Sequence, residues 1–186
     1  MPRLLVIAGS TRPTTAGRPV ARWIADLAQE RGGFEVAEAD LGKIALPFLD
    51  EPELPATGTY LHQHTKDWSA TVSAADAVVL VMPMYNGGFT APVKNALDTL
   101  YHEWKGLPLG VVSYTAGPSG GAPAVAMLRP VLDRLGLRTV EPALSLPGIR
   151  AEGFTAAEEQ TAGARALLDA LAAAVAEAAA EPAAQG

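Results

Sequence analysis

The sequence predicts an α/β fold in which helices cover both faces of an open, doubly wound parallel sheet. Strand-like apolar runs alternate along the chain with stretches whose apolar residues recur at helical spacing, a pattern typical of parallel sheets. Loops rich in glycine or hydroxyl side chains follow three of the apolar runs. Ligands of such sheets bind beyond the carboxyl ends of the strands, so we expect the functional site where these loops meet.

The first expected elements are a strand, a helix and a second strand. Leu4–Ala8 is apolar throughout, which suits a central strand buried on both faces. Apolar residues recur at helical spacing over Gly17–Arg31, and Gly32-Gly33 is a suitable end for that helix. Phe34–Ala39 is the second strand, and the proline-rich, acidic segment Leu41–Gly58 is expected to be a long loop.

The later elements continue the alternation of strand and helix. Apolar periodicity and turn residues delimit a helix at His62–Ser73, a strand at Asp76–Met82, a helix at Pro92–His102, a strand at Leu107–Tyr114, a helix at Ala124–Leu135 and a fifth strand near Leu137–Leu144. Thr155 is expected to cap a final Ala-rich helix. We therefore expect one domain over residues 1–180, followed by a frayed tail over residues 181–186.

Composition excludes several classes of function. The chain has 186 residues with 20 acidic and 14 basic side chains, a formal net charge of −6 and no cysteine. Such a chain lacks the basic surface that nonspecific nucleic-acid binding needs, and any redox chemistry must come from a bound cofactor. Its apolar runs are far shorter than the roughly 18–20 residues of a membrane span. We expect a cytoplasmic protein with no membrane partner and, since His62 and His64 lack a third ligand, no metal.

The first loop, Gly9–Arg18, predicts an anion site. It brings hydroxyls, backbone N–H groups and two arginines to the N-terminus of a helix. An ordinary capped turn is the alternative, but capping needs one hydroxyl and explains neither Arg12 nor Arg18. The loop contains neither a Walker A motif nor G-x-G-x-x-G. A single terminal phosphate therefore fits better than a pyrophosphate, and FMN fits better than NAD or ATP.

The second and third loops offer groups that suit a flat ligand. Pro83–Gly88 contains an aromatic ring, a side-chain amide and two glycines, which an isoalloxazine ring could approach closely. Asn86-Gly87 is also typical of a type I′ hairpin turn, but a buried strand precedes it and a helix follows, so we do not expect a hairpin. Ser113–Gly121 again combines an aromatic residue with glycines, and a purely structural loop is an equal alternative there.

A set of short motifs, taken in chain order, carries a family resemblance: Gly9–Pro13 with Gly17 and Val20–Trp23, Pro83 with Tyr85-Asn86, Lys94–Asp98, and Val112–Tyr114 followed by glycines. They resemble the NADPH-dependent FMN reductase family, a flavodoxin-like group of quinone, azo and chromate reductases. The resemblance covers nearly the whole chain. It implies a five-stranded sheet of order 2-1-3-4-5, a homodimer or homotetramer, and electron transfer from NADPH or NADH through FMN to a small acceptor.

The resemblance also implies which residues hold FMN. Its phosphate would be held by Ser10, Arg12, Gly17, Arg18, Pro19 and Val20. The isoalloxazine would lie against Pro83, Met84, Tyr85, Asn86 and Gly87, with Ser113, Thr115, Ala116 and Gly117 near its pyrimidine end. No catalytic side chain is expected, because the flavin supplies the chemistry.

The chain departs from the family pattern on the side that would face the acceptor. The family commonly has Glu-Tyr-Asn-His where this chain has Met84–Gly87, and Gly-Gly where it has Thr115-Ala116. The motifs therefore do not identify the acceptor. Two other functions stay open, namely an electron carrier of flavodoxin type and a module that binds a phosphate ligand without turnover.

Overall fold

The structure, a computed structural model, describes residues 1–150 and 153–180. Its strands form one sheet in the order β2-β1-β3-β4-β5, with β6 also beside β4, and every pairing is parallel. The strands are β1 Arg3–Ala8, β2 Glu35–Asp40, β3 Ala77–Pro83, β4 Pro108–Tyr114, β5 Arg138–Thr139 and β6 Leu144–Leu146. The predicted strand order is confirmed.

Helices cover both faces of this sheet, as predicted. They are α1 Gly17–Arg31, α2 Leu41–Ile44, α3 Gln63–Ser73, α4 Ala91–Asp98, α5 Ala122–Leu135 and α6 Glu158–Ala180, with short 3-10 turns at Pro55–Thr57 and His102–Trp104. Helices α1 and α6 pack in one hydrophobic cluster, and α3, α4 and α5 pack in another on the opposite face. None of the described helices is long and apolar enough to cross a membrane.

Strands β3 and β4 lie at the centre of the sheet and are buried along their whole length. Val78 and Leu80 face one cluster, whereas Val79 and Val81 face the other, because successive side chains of a strand point to opposite faces. Gly110 in β4 lets helix α6 approach closely, since a Cβ there would lie 3.1 Å from Leu167 Cδ1. Burial on both faces explains why the sequence of these strands is apolar rather than alternating.

The prediction of the fifth strand needs correction near the sheet edge. The fifth strand predicted near residues 137–144 is split into β5 and β6, which pair with different parts of β4. Pro142 lies between them and has no N–H for a strand ladder. Because β6 runs further than predicted, the segment that follows it reaches the same edge of the sheet as the end of β4.

Three further predictions differ at helix boundaries. Helix α4 ends at Asp98 rather than His102. Helix α2 occupies the start of the predicted loop, and the Asp40 side chain caps this helix by accepting a hydrogen bond from the Gly42 N–H. Thr155 is not the cap of α6, which begins at Glu158 with the Gln160 side chain accepting from the Ala157 N–H. The frayed tail predicted for residues 181–186 lies outside the described residues.

Candidate active site

A cavity of about 340 Å³ opens at the carboxyl ends of β1, β3 and β4. The loops after these three strands all line it, together with a segment that follows β6. Its lining residues are Arg12, Thr14, Thr15, Ala16, Pro83, Met84, Tyr85, Tyr114, Thr115, Ala116, Ile149 and Arg150. The structure thus brings together the three loops that the sequence analysis singled out.

The first loop is fixed to the centre of the sheet through Gly9. Its N–H donates to the Val81 carbonyl at 2.8 Å, and its carbonyl accepts from the buried Thr90 hydroxyl at 2.7 Å. A Cβ at Gly9 would lie 2.6 Å from Val93 Cγ2, so a larger residue would force the loop away from α4. Thr90 also caps α4, so one hydroxyl ties the first loop to the start of that helix.

Hydroxyl groups from all three chain regions meet beside the N-terminus of α1. The Tyr114 hydroxyl lies 3.0 Å from Thr15 Oγ1, which also accepts from the Gly17 N–H at 3.1 Å. The buried Ser10 Oγ lies 3.3 Å from the Tyr85 hydroxyl. These four hydroxyls can rotate their protons toward an anion, and the helix end adds its own partial positive charge.

The Tyr114 hydroxyl stays protonated at neutral pH. Burial raises its pKa, and the hydrogen bond with Thr15 opposes that effect only in part, so the pKa lies above the ordinary value for tyrosine. Tyr114 therefore enters the cluster as a neutral group that can donate a hydrogen bond. A negatively charged phenolate there would repel an anionic ligand.

The cavity concentrates positive charge in a protein of net charge −6. Arg12 and Arg150 line it, and within the described part of the chain no carboxylate side chain does. Neither arginine forms an ion pair with another described residue. Both guanidinium groups are therefore available to an anionic ligand.

Arg18, which the resemblance places at the phosphate, has a different position. Its guanidinium lies outside the cavity lining, with Nε donating to Asp40 Oδ2 at 2.6 Å. A terminal N–H group donates to the carbonyls of Arg12 and Pro13, each at 3.0 Å. Burial would raise the pKa of the Asp40 carboxyl, but hydrogen bonds from Arg18 and from the Gly42 N–H outweigh it and lower that pKa below its ordinary range.

The three other phosphate candidates on α1 are not among the lining residues either. Val20 is buried in the core and its N–H donates to the Ala16 carbonyl, and Pro19 has no N–H to offer. Gly17 has a steric role that the sequence did not reveal. A Cβ at Gly17 would lie 2.5 Å from the Tyr114 hydroxyl oxygen, so only glycine leaves room for that hydroxyl.

The second loop forms a tight turn at Asn86-Gly87, the alternative that the sequence analysis left open. Asn86 and Gly87 both have positive φ, 51° and 83°, and Tyr85 and Gly88 exchange two backbone hydrogen bonds of 2.9 Å. The Asn-Gly turn joins β3 to α4 rather than two strands, so the structure agrees with the expectation that no hairpin forms here. Pro83, Met84 and Tyr85 line the cavity, whereas Asn86 and Gly87 lie at the tip of the turn, outside the lining.

Hydrogen bonds of Ser113 support the third loop. The buried Ser113 Oγ donates to the Gly120 carbonyl at 2.8 Å and lies 3.1 Å from Ser145 Oγ. Thr115 is fixed on both sides, since its N–H donates to Leu146 and its carbonyl accepts from Ile149. Thr115 and Ala116 line the cavity, whereas Ser113 and Gly117 do not. Ser113 supports the loop rather than facing the cavity.

Sequence reasoning missed several lining residues. Thr14, Thr15 and Ala16 belong to the hydroxyl-rich loop it identified but were not singled out. The apolar pattern predicts Tyr114 only as the last residue of a strand and does not give the direction of its side chain. Ile149 and Arg150 follow β6, so recognising β6 as a separate parallel strand would have placed them at this edge.

We predict that Gly17→Ala destabilises the folded chain by about 1–3 kcal/mol, because the added Cβ overlaps the Tyr114 hydroxyl. In the double variant Gly17→Ala/Tyr114→Phe the loss should be smaller than the sum of the two single losses, by about 0.5–3 kcal/mol. Urea denaturation measures both quantities. Gly117→Ala is the control, since a Cβ there meets open space. Additive losses would show that the two residues do not interact.

Residues 2–150 match the family model described as NADPH-dependent FMN reductase. The chain is 41% identical over 150 residues to an NAD(P)H-dependent FMN reductase of Schizosaccharomyces pombe, covering 78% of this chain and 74% of the relative. It is 32% identical over 122 residues to a quinone reductase of Pseudomonas putida, covering 62% of this chain and 61% of that relative.

Two solved structures share the fold. A flavoenzyme NAD(P)H:(acceptor) oxidoreductase from Paracoccus denitrificans has a TM-score of 0.77 at 22% identity, covering 95% of this chain and 98% of the other. A flavodoxin variant from Pseudomonas aeruginosa has a TM-score of 0.58 at 22% identity, covering 94% and 99%. The family model spans most of the sequence, and the chain belongs to the NADPH-dependent FMN reductase family.

Proposed function

We propose that this chain is an oxidoreductase that binds FMN in the cavity at the carboxyl edge of the sheet. It uses the flavin to pass electrons from NADPH or NADH to a small acceptor, such as a quinone, an azo compound or free flavin. The observation that carries this proposal is that Arg12 and the hydroxyl residues Thr15, Tyr85 and Tyr114 line one cavity beside the N-terminus of α1, with the buried Ser10 hydroxyl 3.3 Å from that of Tyr85. Membership of the family supports it independently.

The donor groups at the first loop fit a phosphate monoester. Ser10, Thr15 and Arg12 offer two hydroxyls and a guanidinium without an ion-pair partner among the described residues. Each hydrogen bond to a charged group is worth about 1.5–3 kcal/mol, and a partly buried helix N-terminus adds up to ~2 kcal/mol. Several such contacts together suffice for micromolar affinity or better. We propose these residues, with Thr14, as the phosphate subsite.

The rest of the cavity fits a planar ring system. Pro83, Met84 and the half-exposed Tyr85 form one wall, and Thr115 with Ala116 forms another. The third loop cannot shift easily, since the Thr115 N–H donates to the carbonyl of Leu146 at the end of β6 and its own carbonyl accepts from the Ile149 N–H beyond that strand. A rigid wall of this kind fixes the orientation of a flat ligand. We propose these five residues as the isoalloxazine subsite.

The chemistry of the reaction belongs to the cofactor: bound FMN can accept a hydride from a nicotinamide and release it as a hydride or as single electrons. The chain's own residues bind the cofactor and fix its orientation. Among the described residues the cavity lining contains no carboxylate, histidine or lysine that would act as a general acid or base. Arg12 and Arg150 stabilise negative charge in the cavity, which grows when the ligand is reduced.

An electron carrier of flavodoxin type is the second candidate, because flavodoxin shares the fold. A carrier needs FMN but no site for a nicotinamide or an organic acceptor, so turnover with NADPH separates the two.

We also propose that the enzyme works in the cytoplasm, where both nicotinamide donors are present. The two core clusters share one sheet, which supports a single domain over residues 1–180.

We predict that the purified protein mixed with FMN and freed of the excess retains the flavin absorption bands. Anaerobic NADPH or NADH should bleach them, and a quinone should restore them. In the variant Arg12→Ala, which tests the phosphate contact, the affinity for FMN should fall about 10-fold to 100-fold, the equivalent of one charged hydrogen bond. Retained bands that neither nicotinamide bleaches would favour a carrier, and no retained flavin would contradict the FMN site.

We further propose that the enzyme is a homodimer or a homotetramer. Phe48 is 82% exposed and Met127 is 59% exposed, and both line a surface cleft along α4. Exposed apolar side chains that share a cleft are typical of an interface. We predict a multiple of the 19.2 kDa chain mass by light scattering, and a monomer for Phe48→Asp. A monomeric mass for the unaltered protein would contradict the assembly.

A further inference from the structure

We propose that Arg18 is a positioning residue for the phosphate subsite, and that it acts by holding two carbonyls of the first loop away from the anion. The inference rests on the proposed FMN site and adds to it the group that sets the shape of the loop. Arg18 affects the anion only indirectly, because its guanidinium fixes the backbone carbonyls of Arg12 and Pro13 and does not itself contact the phosphate.

The hydrogen bonds of Arg18 define this role. Its Nε donates to Asp40 Oδ2 at 2.6 Å, and one terminal nitrogen lies 3.4 Å from Asp40 Oδ1. The other terminal nitrogen donates to the carbonyls of Arg12 and Pro13 at 3.0 Å each. A guanidinium offers five N–H donors in a fixed plane, so one side chain can span a carboxylate and two carbonyls. A lysine ammonium cannot reproduce that fork.

The position of these carbonyls determines what the loop presents to a ligand. In a trans peptide the C=O and the N–H of the next residue point in opposite directions. Holding the Pro13 carbonyl toward Arg18 therefore turns the N–H of Thr14, a cavity residue, to the other side of that peptide. The same contacts keep two carbonyl oxygens, which would repel a phosphate, on the Arg18 side of the loop.

Asp40 fixes the position of the Arg18 guanidinium, and its carboxylate in turn needs Arg18 as its ion-pair partner. Its carboxylate holds Arg18 and caps α2 through the Gly42 N–H at 2.9 Å. A Cβ at Gly42 would lie 2.6 Å from an Arg18 nitrogen and 3.3 Å from Thr11 Cα, so Asp40, α2 and the first loop are in close contact. Without Arg18, an unpaired and largely buried negative charge would stand beside the phosphate loop.

The neighbouring ion pair of α1 provides a matched control. Arg22, one helical turn after Arg18, donates to Glu38 Oε1 at 2.7 Å. This pair also joins α1 to β2, but its bonds do not involve the first loop. Arg22→Ala therefore removes a similar tie between the same two elements and leaves the loop carbonyls bonded.

The test compares dissociation constants for FMN and for riboflavin, which lacks the phosphate, in the unaltered protein, Arg18→Ala, Arg18→Lys and Arg22→Ala. Flavin fluorescence titration measures both constants. Arg18→Ala and Arg18→Lys should each weaken FMN binding by about 10-fold or more, the equivalent of one charged hydrogen bond, and leave riboflavin binding nearly unchanged. Arg22→Ala should change neither. If Arg18→Ala fails to fold, Arg18→Lys decides alone, because it retains the charge.

The possible results separate this inference from the proposed function. If the unaltered protein does not bind FMN, the proposed function fails and the inference with it. If it binds FMN and Arg18→Lys binds as tightly, charge alone is sufficient and the positioning role is wrong. An equal loss of riboflavin affinity, or an equal loss in Arg22→Ala, would show general damage to α1 and would likewise overturn the inference.

Discussion

In a chain of net charge −6, an anion site needs positive charge and hydrogen-bond donors in one place, and Arg12, Arg150 and several hydroxyl residues lie together at the carboxyl edge of the parallel sheet. Strands β1, β3 and β4 end at a common edge of the sheet, so the loops that follow them lie next to one another. The N-terminus of α1 points to the same edge and adds its partial charge. The arrangement of Arg12 and the hydroxyl cluster depends on this geometry.

Close approach between backbones and side chains makes the site compact. Gly9 and Gly17 each stand where a Cβ would overlap a neighbour, Val93 in one case and the Tyr114 hydroxyl in the other. Gly42 does the same beside Arg18. These glycines have no side chain that could bind a ligand, yet each one lets neighbouring parts of the chain approach closely in or beside the first loop. The sequence motif around Gly9 and Gly17 therefore reflects packing as much as ligand contact.

The fold and the three loops could be predicted from the sequence, because apolar periodicity and the ends of parallel strands are local signals with fixed spatial consequences. The direction of individual side chains could not. Arg18 belongs to the predicted anion loop, but Asp40, 22 residues further on, draws its guanidinium away from the cavity. Ser113 turns to Gly120 for the same kind of reason. Arg150 reaches the site only because β6 forms a separate strand, which a weak apolar pattern did not reveal.

The proposed FMN site depends on one contact, that between the FMN phosphate and the loop at the N-terminus of α1. A crystal structure of the complex with FMN tests it most directly. We expect a phosphate within hydrogen-bond distance of the Ser10 and Thr15 hydroxyls and the Arg12 guanidinium, with the Arg18 guanidinium still bonded to Asp40. A phosphate bound elsewhere, or one bound directly by Arg18 after it has left Asp40, would contradict it.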